Sequence, residues 1–146
     1  MTEKRTWVGP SAPERLNILR NTRTIVIVGM SDKISRASYF VATYLQSASP
    51  YKLYFVNPIL AAKGKLVLGQ PVYPSLQDLP EVPDLVEIFR RNEDLPGVVQ
   101  EAVDLGAKTV WMQLGSWNEE AAAIGEAAGL NVVMDKCVKI EHARFH

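Results

Sequence analysis

The sequence predicts an α/β domain whose doubly wound, mainly parallel sheet has five to six strands, with helices on both faces. Short runs rich in valine and isoleucine alternate with segments in which apolar residues recur at helical spacing. Several runs end in turn-forming residues, such as Gly29 and Asn57-Pro58. Because strand and helix alternate, the strands must be joined by right-handed crossovers into a parallel sheet. This arrangement is Rossmann-like.

The first strand, at residues 24–29, is a β-branched run that ends in glycine, as expected for a strand buried on both faces. A leading helical segment within residues 1–23, with its helix at 10–21, precedes it. Further strands are predicted at 52–56, 84–89, 109–113 and 131–135, with a short extended segment at 67–73. Helices are predicted at 38–47, 95–105 and 118–128, with a helical turn at 75–78.

The composition indicates one globular domain spanning residues 1–146. Hydrophobic residues make up 47% and charged residues 22% of the chain, which is enough apolar material for a single core. Sixteen basic residues balance sixteen acidic ones, so the net charge does not favour nucleic acid or an anionic membrane. Any site for an anion must therefore be local.

The expected location is the cytoplasm. The opening residues lead into no signal-peptide core, and no apolar run approaches the roughly 20 residues that span a bilayer. The single cysteine, Cys137, cannot form an internal disulfide, which fits a reducing compartment.

Polar and basic residues follow the predicted strands at the edge where open α/β sheets bind ligands. Gly29 allows close approach of the backbone to a phosphate, Ser31 offers a hydroxyl, and the helix beginning near Ser38 presents free N–H groups. Cations on separate loops would reach the same edge: Lys33, Arg36, Lys63, Lys65, Arg90 and Arg91. A polyanionic ligand would explain this cluster. The alternative is that these are solvated surface charges. We give this alternative more weight for Lys63 and Lys65 than for Arg36 or Arg90.

Standard cofactor and catalytic signatures are missing. The segment beginning at Gly29 lacks the second and third glycines of the dinucleotide fingerprint, and Asn57-Pro58 stands where an NAD-binding carboxylate would be. No P-loop occurs. The histidines, His142 and His146, lie in the final segment, so we assign no catalytic and no metal-binding residue. We interpret Cys137 as a small buried apolar residue and His142 as part of the C-terminal packing. The alternative is a Cys–His pair or a partial metal site formed by Asp135, Cys137, Glu141 and His142.

Seven segments in order carry a resemblance to a known family, over most of the chain from the first strand onward. They are Val28-Gly29-Met30-Ser31, Arg36-Ala37-Ser38-Tyr39, Val56-Asn57-Pro58, Ile88-Phe89-Arg90, Gly106-Ala107-Lys108, Trp111-Met112-Gln113-Leu114-Gly115, and Asp135-Lys136-Cys137 with Glu141-His142. The chain resembles the small stand-alone CoA-binding proteins, whose domain is similar to the N-terminal domain of the succinyl-CoA synthetase α subunit.

The resemblance implies that coenzyme A binds with its nucleotide end at the carboxyl edge of the sheet. The residues it implies for the cofactor site are Gly29, Ser31 and Lys33 at the diphosphate, Arg36 and Ser38 closing the first loop, Asn57 and Pro58 beside the adenosine, Phe89 and Arg90 bordering the cofactor, and Gln113 and Gly115 in the pocket wall. Many relatives have proline where this chain has Ile34 and Ala37. The ligase carries its phosphorylated histidine on a second domain that this chain lacks, so ligase activity does not carry over.

Three functions are therefore weighed. The first is a non-catalytic CoA-binding or acyl-CoA-binding carrier, sensor or partner module. The second is an NAD(P)-linked oxidoreductase, against which the missing fingerprint argues. The third is a regulatory module that binds a protein and has no ligand. An unidentified protein partner and a homo-oligomer are both compatible with the sequence.

Overall fold

A computed structural model of the protein describes residues 5–145. The strands are β1 (Thr24–Val28), β2 (Lys52–Val56), β3 (Leu66–Val67), β4 (Gln70–Tyr73), β5 (Leu85–Ile88), β6 (Thr109–Met112) and β7 (Asn131–Val133). The helices are α1 (Ala12–Arg20), α2 (Ala37–Ala48), α3 (Pro58–Ala62), α4 (Leu95–Leu105), α5 (Glu119–Ala127) and α6 (Val138–Phe145). Short 3-10 turns occupy Leu76–Asp78 and Asn92–Asp94.

The strands form one sheet in the order β3-β4-β2-β1-β5-β6-β7. Every neighbouring pair is parallel except β3 and β4, which are antiparallel. The central strand β1 pairs with β2 on one side and β5 on the other, so the chain order reverses at β1. The predicted Rossmann-like α/β class is confirmed.

The sheet has seven strands, one more than the five to six predicted. The extended segment predicted at 67–73 is a hairpin, because the chain turns between β3 and β4. Leu68 and Gly69 have positive φ angles of 51° and 76°, and this turn reverses the chain direction. The extra strand β3 has two residues and lies at the edge of the sheet.

Alternate residues of each strand build separate cores on the two faces of the sheet. On one face Val26, Val86 and Val110 pack with α4 and α5. On the other face Ile27, Phe55 and Trp111 pack with side chains of α1, α2 and α6. Because both faces are covered, the central strand β1 is buried along its whole length, as expected for a parallel sheet.

The leading segment is less helical than predicted. Only Ala12–Arg20 forms a helix, which begins at a capping box between Ser11 and Glu14. The described residues before Ser11 are not helical. Residues 1–4 of this predicted segment lie outside the described part of the chain.

Two helices were not predicted. α3 begins directly after β2, and α6 ends the described chain. The buried ion pair between Arg15 of α1 and Glu141 of α6, at 3.2 Å, joins α6 to the body of the domain. Among residues 5–145 no helix combines the length and apolar character needed to cross a bilayer.

Candidate functional site

The end of β1 is held against the ends of its two neighbouring strands. The backbone N–H groups of Gly29 and Met30 donate to the carbonyl of Val56, at 3.1 and 3.2 Å. Gly29 has a φ of +84°, and a Cβ at this position would lie 2.1 Å from the carbonyl oxygen of Phe89. The glycine that the sequence suggested for phosphate approach is thus already required by packing against β5.

Serine hydroxyls organise the loop between β1 and α2. The Ser31 N–H donates to the hydroxyl of Ser38 at 3.0 Å, and the Lys33 N–H donates to the hydroxyl of Ser31 at 3.0 Å. Arg36, the N-cap residue of α2, makes no side-chain hydrogen bond to cap the helix. The first N–H groups of α2 therefore present a partial positive charge at this edge of the sheet.

Asn57 joins this loop to the start of α3. Its side-chain amide donates to the carbonyl of Met30 at 2.7 Å, and its oxygen accepts from the N–H groups of Ile59 and Leu60 at 2.9 and 3.1 Å. Pro58 follows as the first residue of the helix, where its missing N–H costs nothing. Both ends of the Asn57 amide are engaged, so this residue positions the two loops.

The loops after β1 and β2 enclose a cleft of about 720 Å³, here called the first cleft. It is lined by Gly29, Met30, Ser31, Asp32, Lys33, Arg36, Ala37, Ser38, Asn57, Ile59, Leu60, Lys63, Lys65 and Phe89. The first cleft lies at the carboxyl ends of the strands, where the chain order reverses. This is the position at which open α/β sheets bind ligands.

Positive charge dominates the first cleft. Four cations, Lys33, Arg36, Lys63 and Lys65, line it together with one carboxylate, Asp32. Lys65 pairs with Asp32 at 3.2 Å, and this hydrogen bond is the main reason that the pKa of Asp32 lies below its usual value. The other three cations have no carboxylate partner among the described residues.

A second cleft of about 430 Å³ adjoins the first and shares Ala37 and Phe89 with it. Its lining is Ala37, Phe89, Arg90, Arg91, Asp94, Gln113, Leu114 and Ser116. Asp94 accepts hydrogen bonds from Arg90 at 3.2 Å and Arg91 at 3.3 Å, and these bonds hold the pKa of Asp94 below its usual value.

A further cavity of about 380 Å³ lies near the amino ends of the strands, with Lys108, Thr109 and Asn131 among its lining residues. Its charged residues are two carboxylates, Glu14 and Asp84, and a single cation, Lys108. This balance gives no positive field for a polyanion. The first cleft is therefore the stronger candidate for an anionic ligand.

The family of the chain follows from its match to known sequences. Residues 23–143 match the profile of the family described as a CoA binding domain. The chain belongs to the CoA-binding domain family. The resemblance inferred from the seven sequence segments is thereby confirmed.

Relatives of this CoA-binding domain protein have similar length. It is 37% identical to the uncharacterized protein YneT of Bacillus subtilis (strain 168), over 92% of this chain and 96% of YneT. Among solved structures, a hypothetical protein from Pyrococcus horikoshii OT3 superposes with a TM-score of 0.86 at 34% identity, over 99% of both chains.

A larger protein shares the fold. The dinucleotide-forming acetyl-coenzyme A synthetase 1 of Candidatus Korarchaeum cryptofilum superposes with a TM-score of 0.67 at 22% identity. The match covers 82% of this chain and 28% of that one. The same architecture therefore occurs as one part of a longer chain.

The structure brings most of the predicted site residues to one edge of the sheet. Seven line the first cleft: Gly29, Ser31, Lys33, Arg36, Ser38, Asn57 and Phe89. Phe89 also lines the second cleft, with Arg90 and Gln113. Pro58 and Gly115 line neither cleft. The Gly115 N–H instead donates to Asp135 at 2.7 Å.

The first cleft has further lining residues outside the set that the resemblance implied. Lys63 and Lys65, which the sequence placed in the cation cluster with more weight on the surface-charge alternative than for Arg36 or Arg90, both line the first cleft. Ile59 and Leu60 reach the cleft because α3 begins where the sequence predicted a loop. Asparagine followed by proline is a common helix start, so Asn57-Pro58 carried a signal for α3.

The residues of the final segment are packing residues. His142 is 3% exposed and lies edge-on to the rings of Tyr44 and Tyr51, with the Tyr44 hydroxyl 2.9 Å from its Nδ1. Cys137 contacts the core but is only partly buried, which corrects the expectation of a buried thiol. Among residues 5–145 no group of three or more potential metal ligands comes together. His146 lies outside the described residues.

Proposed function

We propose that this CoA-binding domain protein binds CoA or acyl-CoA with its phosphates in the first cleft. One observation carries the proposal: in a chain with net charge zero, four cations and a single carboxylate line one cleft. The uncapped start of α2 borders the same cleft and adds a partial positive charge. A ligand with several phosphates matches this concentration of charge.

The electrostatics favour CoA over NAD. CoA carries a 3′-phosphate in addition to its diphosphate, so it brings more negative charge to the cleft than NAD does. Lys33, Arg36 and Lys63 are available for charge-assisted hydrogen bonds to it, which are about twice as strong as neutral ones. Lys65 can contribute by exchanging its pairing with Asp32 for a phosphate.

We infer a non-catalytic role in the cytosol, as a carrier, sensor or partner module. The serine hydroxyls of the first cleft already accept backbone N–H groups, and its lining includes neither histidine nor cysteine. The side chains of this cleft thus serve to bind and position a ligand. The cytosolic assignment rests on the single cysteine of the sequence.

Calorimetric titration with CoA, dephospho-CoA and NAD tests the proposal. We expect CoA to bind most tightly, and Lys33→Ala or Arg36→Ala to weaken CoA binding roughly tenfold each. A side chain that contacts the 3′-phosphate should affect CoA more than dephospho-CoA, whereas one at the diphosphate should affect both alike.

Lys108→Ala is the matched control, because Lys108 is an exposed cation just before β6, at the opposite edge of the sheet. It should leave all three affinities unchanged. Tighter binding of NAD than of CoA by the wild-type protein would overturn the proposal. So would CoA affinities that neither cleft substitution changes.

A further inference from the structure

The second cleft differs chemically from the first. Its two arginines, Arg90 and Arg91, are both bonded to Asp94. Their charge is therefore partly neutralised, and the cleft offers much less attraction to a phosphate than the first cleft does. Ala37, Phe89 and Leu114 supply apolar lining. A neutral group fits this cleft better than an anionic one.

Gln113, directly after β6, lines the second cleft and has a side-chain acceptor without a partner. The residue is 8% exposed, and its side-chain oxygen is buried with no hydrogen-bond partner among the described residues. Buried amide oxygens in folded proteins nearly always accept a hydrogen bond. If the Gln113 side chain turns toward the second cleft that it lines, an N–H donor on a ligand there would supply the missing partner.

An exposed apolar side chain lines the second cleft. Leu114, which lines it, is 59% exposed. An apolar group that leaves the second cleft at this point would therefore contact the Leu114 side chain.

From these features we propose that the second cleft binds the amide-bearing arm of an acyl-CoA and that Leu114 contacts an apolar acyl group at its end. The inference rests on the proposed function, because the phosphates occupy the first cleft. A continuous ligand can fill both clefts, since Ala37 and Phe89 line each of them. The protein then binds thioesters with a short apolar acyl group more tightly than free CoA.

Three ligands of increasing length separate the contributions. Adenosine 3′,5′-bisphosphate fills only the first cleft, CoA adds the amide-bearing arm, and hexanoyl-CoA adds the apolar acyl group. We expect each to bind more tightly than the one before, with hexanoyl-CoA about tenfold tighter than CoA. Titration calorimetry on the full-length protein measures all three affinities.

Two variants test which residues provide these increases in affinity. Leu114→Ser should abolish most of the advantage of hexanoyl-CoA over CoA and should lower the affinity for CoA itself by much less. Gln113→Leu should weaken CoA and hexanoyl-CoA alike, about fivefold or more, and leave adenosine 3′,5′-bisphosphate unchanged. The unchanged affinity also shows that the variant is folded. Val82→Ser is the control for Leu114, because Val82 is an exposed apolar residue in the segment before β5, at the other end of the strands.

The outcomes test binding of the acyl-CoA arm in the second cleft separately from binding of the CoA phosphates in the first cleft. Equal binding of CoA and hexanoyl-CoA by the wild-type protein would overturn the inference and leave CoA binding intact. The inference would also be overturned if Val82→Ser reduced the affinity advantage of hexanoyl-CoA over CoA as much as Leu114→Ser does. That result would indicate nonspecific adsorption of the acyl group. Failure of both CoA and adenosine 3′,5′-bisphosphate to bind would refute the proposed function itself.

Discussion

Two glycines at the carboxyl edge of the sheet have similar backbone conformations and different surroundings. Gly29 has a φ of +84° and Gly115 a φ of +89°, both in the left-handed region that side chains disfavour. A Cβ on Gly29 would collide with the carbonyl oxygen of Phe89 at 2.1 Å, whereas one on Gly115 would meet nothing within 4 Å. Comparing alanine substitutions at these two positions therefore distinguishes the loss of stability caused by the left-handed backbone from the loss caused by steric overlap.

Gly29→Ala should destabilise the fold more than Gly115→Ala. We expect Gly115→Ala to cost about 1–2 kcal/mol, the price of a left-handed alanine. Gly29→Ala adds the displacement of the β5 backbone, for a total of roughly 2–5 kcal/mol. Urea denaturation of both variants measures the difference. Equal losses of stability would show that the contact with Phe89 relaxes without cost.

One carboxylate holds the segment before α1 to the start of α5. Glu119 accepts hydrogen bonds from the Thr6 N–H and hydroxyl at 2.9 and 2.7 Å, and from the Trp7 N–H at 3.2 Å. The Trp117 ring lies edge-on to Trp7, with the ring centres 5.6 Å apart. The hydrogen bonds from Thr6 are the main reason that the pKa of Glu119 is lowered.

Glu119→Ala should release this segment and leave the sheet intact. Hydrogen exchange at Thr6 and Trp7 should accelerate, while exchange in β1 and β5 should not change. Because the pKa of Glu119 is lower in the folded protein, its contribution is lost as the pH falls below its ordinary value near 4.5. The wild-type segment should thus loosen in acid. Glu120→Ala, at the exposed neighbouring position, is the control, and an equal effect there would contradict the assignment.

A carboxyl group, that of Glu87, is buried in the middle of the sheet. It lies on β5, between Ile27 of β1 and Trp111 of β6 in register, and is 0% exposed. Neither carboxylate oxygen has a hydrogen-bond partner among the described residues. Burial, with a smaller effect of Cys137, raises the pKa of Glu87 well above its usual value. At pH values between the ordinary pKa of glutamate and this raised pKa, the folded protein therefore holds a proton on Glu87 that the unfolded chain releases.

Global stability should consequently decrease as the pH rises above the ordinary glutamate value near 4.5. In that range Glu87 binds more proton in the folded state, so its contribution falls by at most about 1.4 kcal/mol per pH unit. Glu87→Gln should flatten this dependence and stabilise the protein at pH 8 relative to wild type. Denaturation of both proteins at pH 5 and pH 8 measures the change. The same pH dependence in both would show that Glu87 is not the cause.

The amino-acid pattern determined the fold class, the order of most elements and the edge that carries the candidate site. Strand 52–56 and helix 95–105 were predicted with the bounds that the structure has. These predictions succeeded because apolar periodicity and terminal glycines are local signals, as at Gly106, which ends α4 with a φ of 93°. The location of the candidate site after Gly29 followed from the rule that open α/β sheets bind ligands at the carboxyl ends of their strands.

Which groups share a cleft and which are buried depends on how distant segments pack together. α6 carries Lys139, Glu141, His142 and Arg144, and its buried ion pair with α1 depends on contact between distant segments. The pairing of Lys65 with Asp32, the engaged amide of Asn57 and the burial of Glu87 have no signature in sequence spacing. The reason is physical: hydrogen bonding, charge pairing and desolvation depend on distances between residues far apart in the chain, and packing sets those distances.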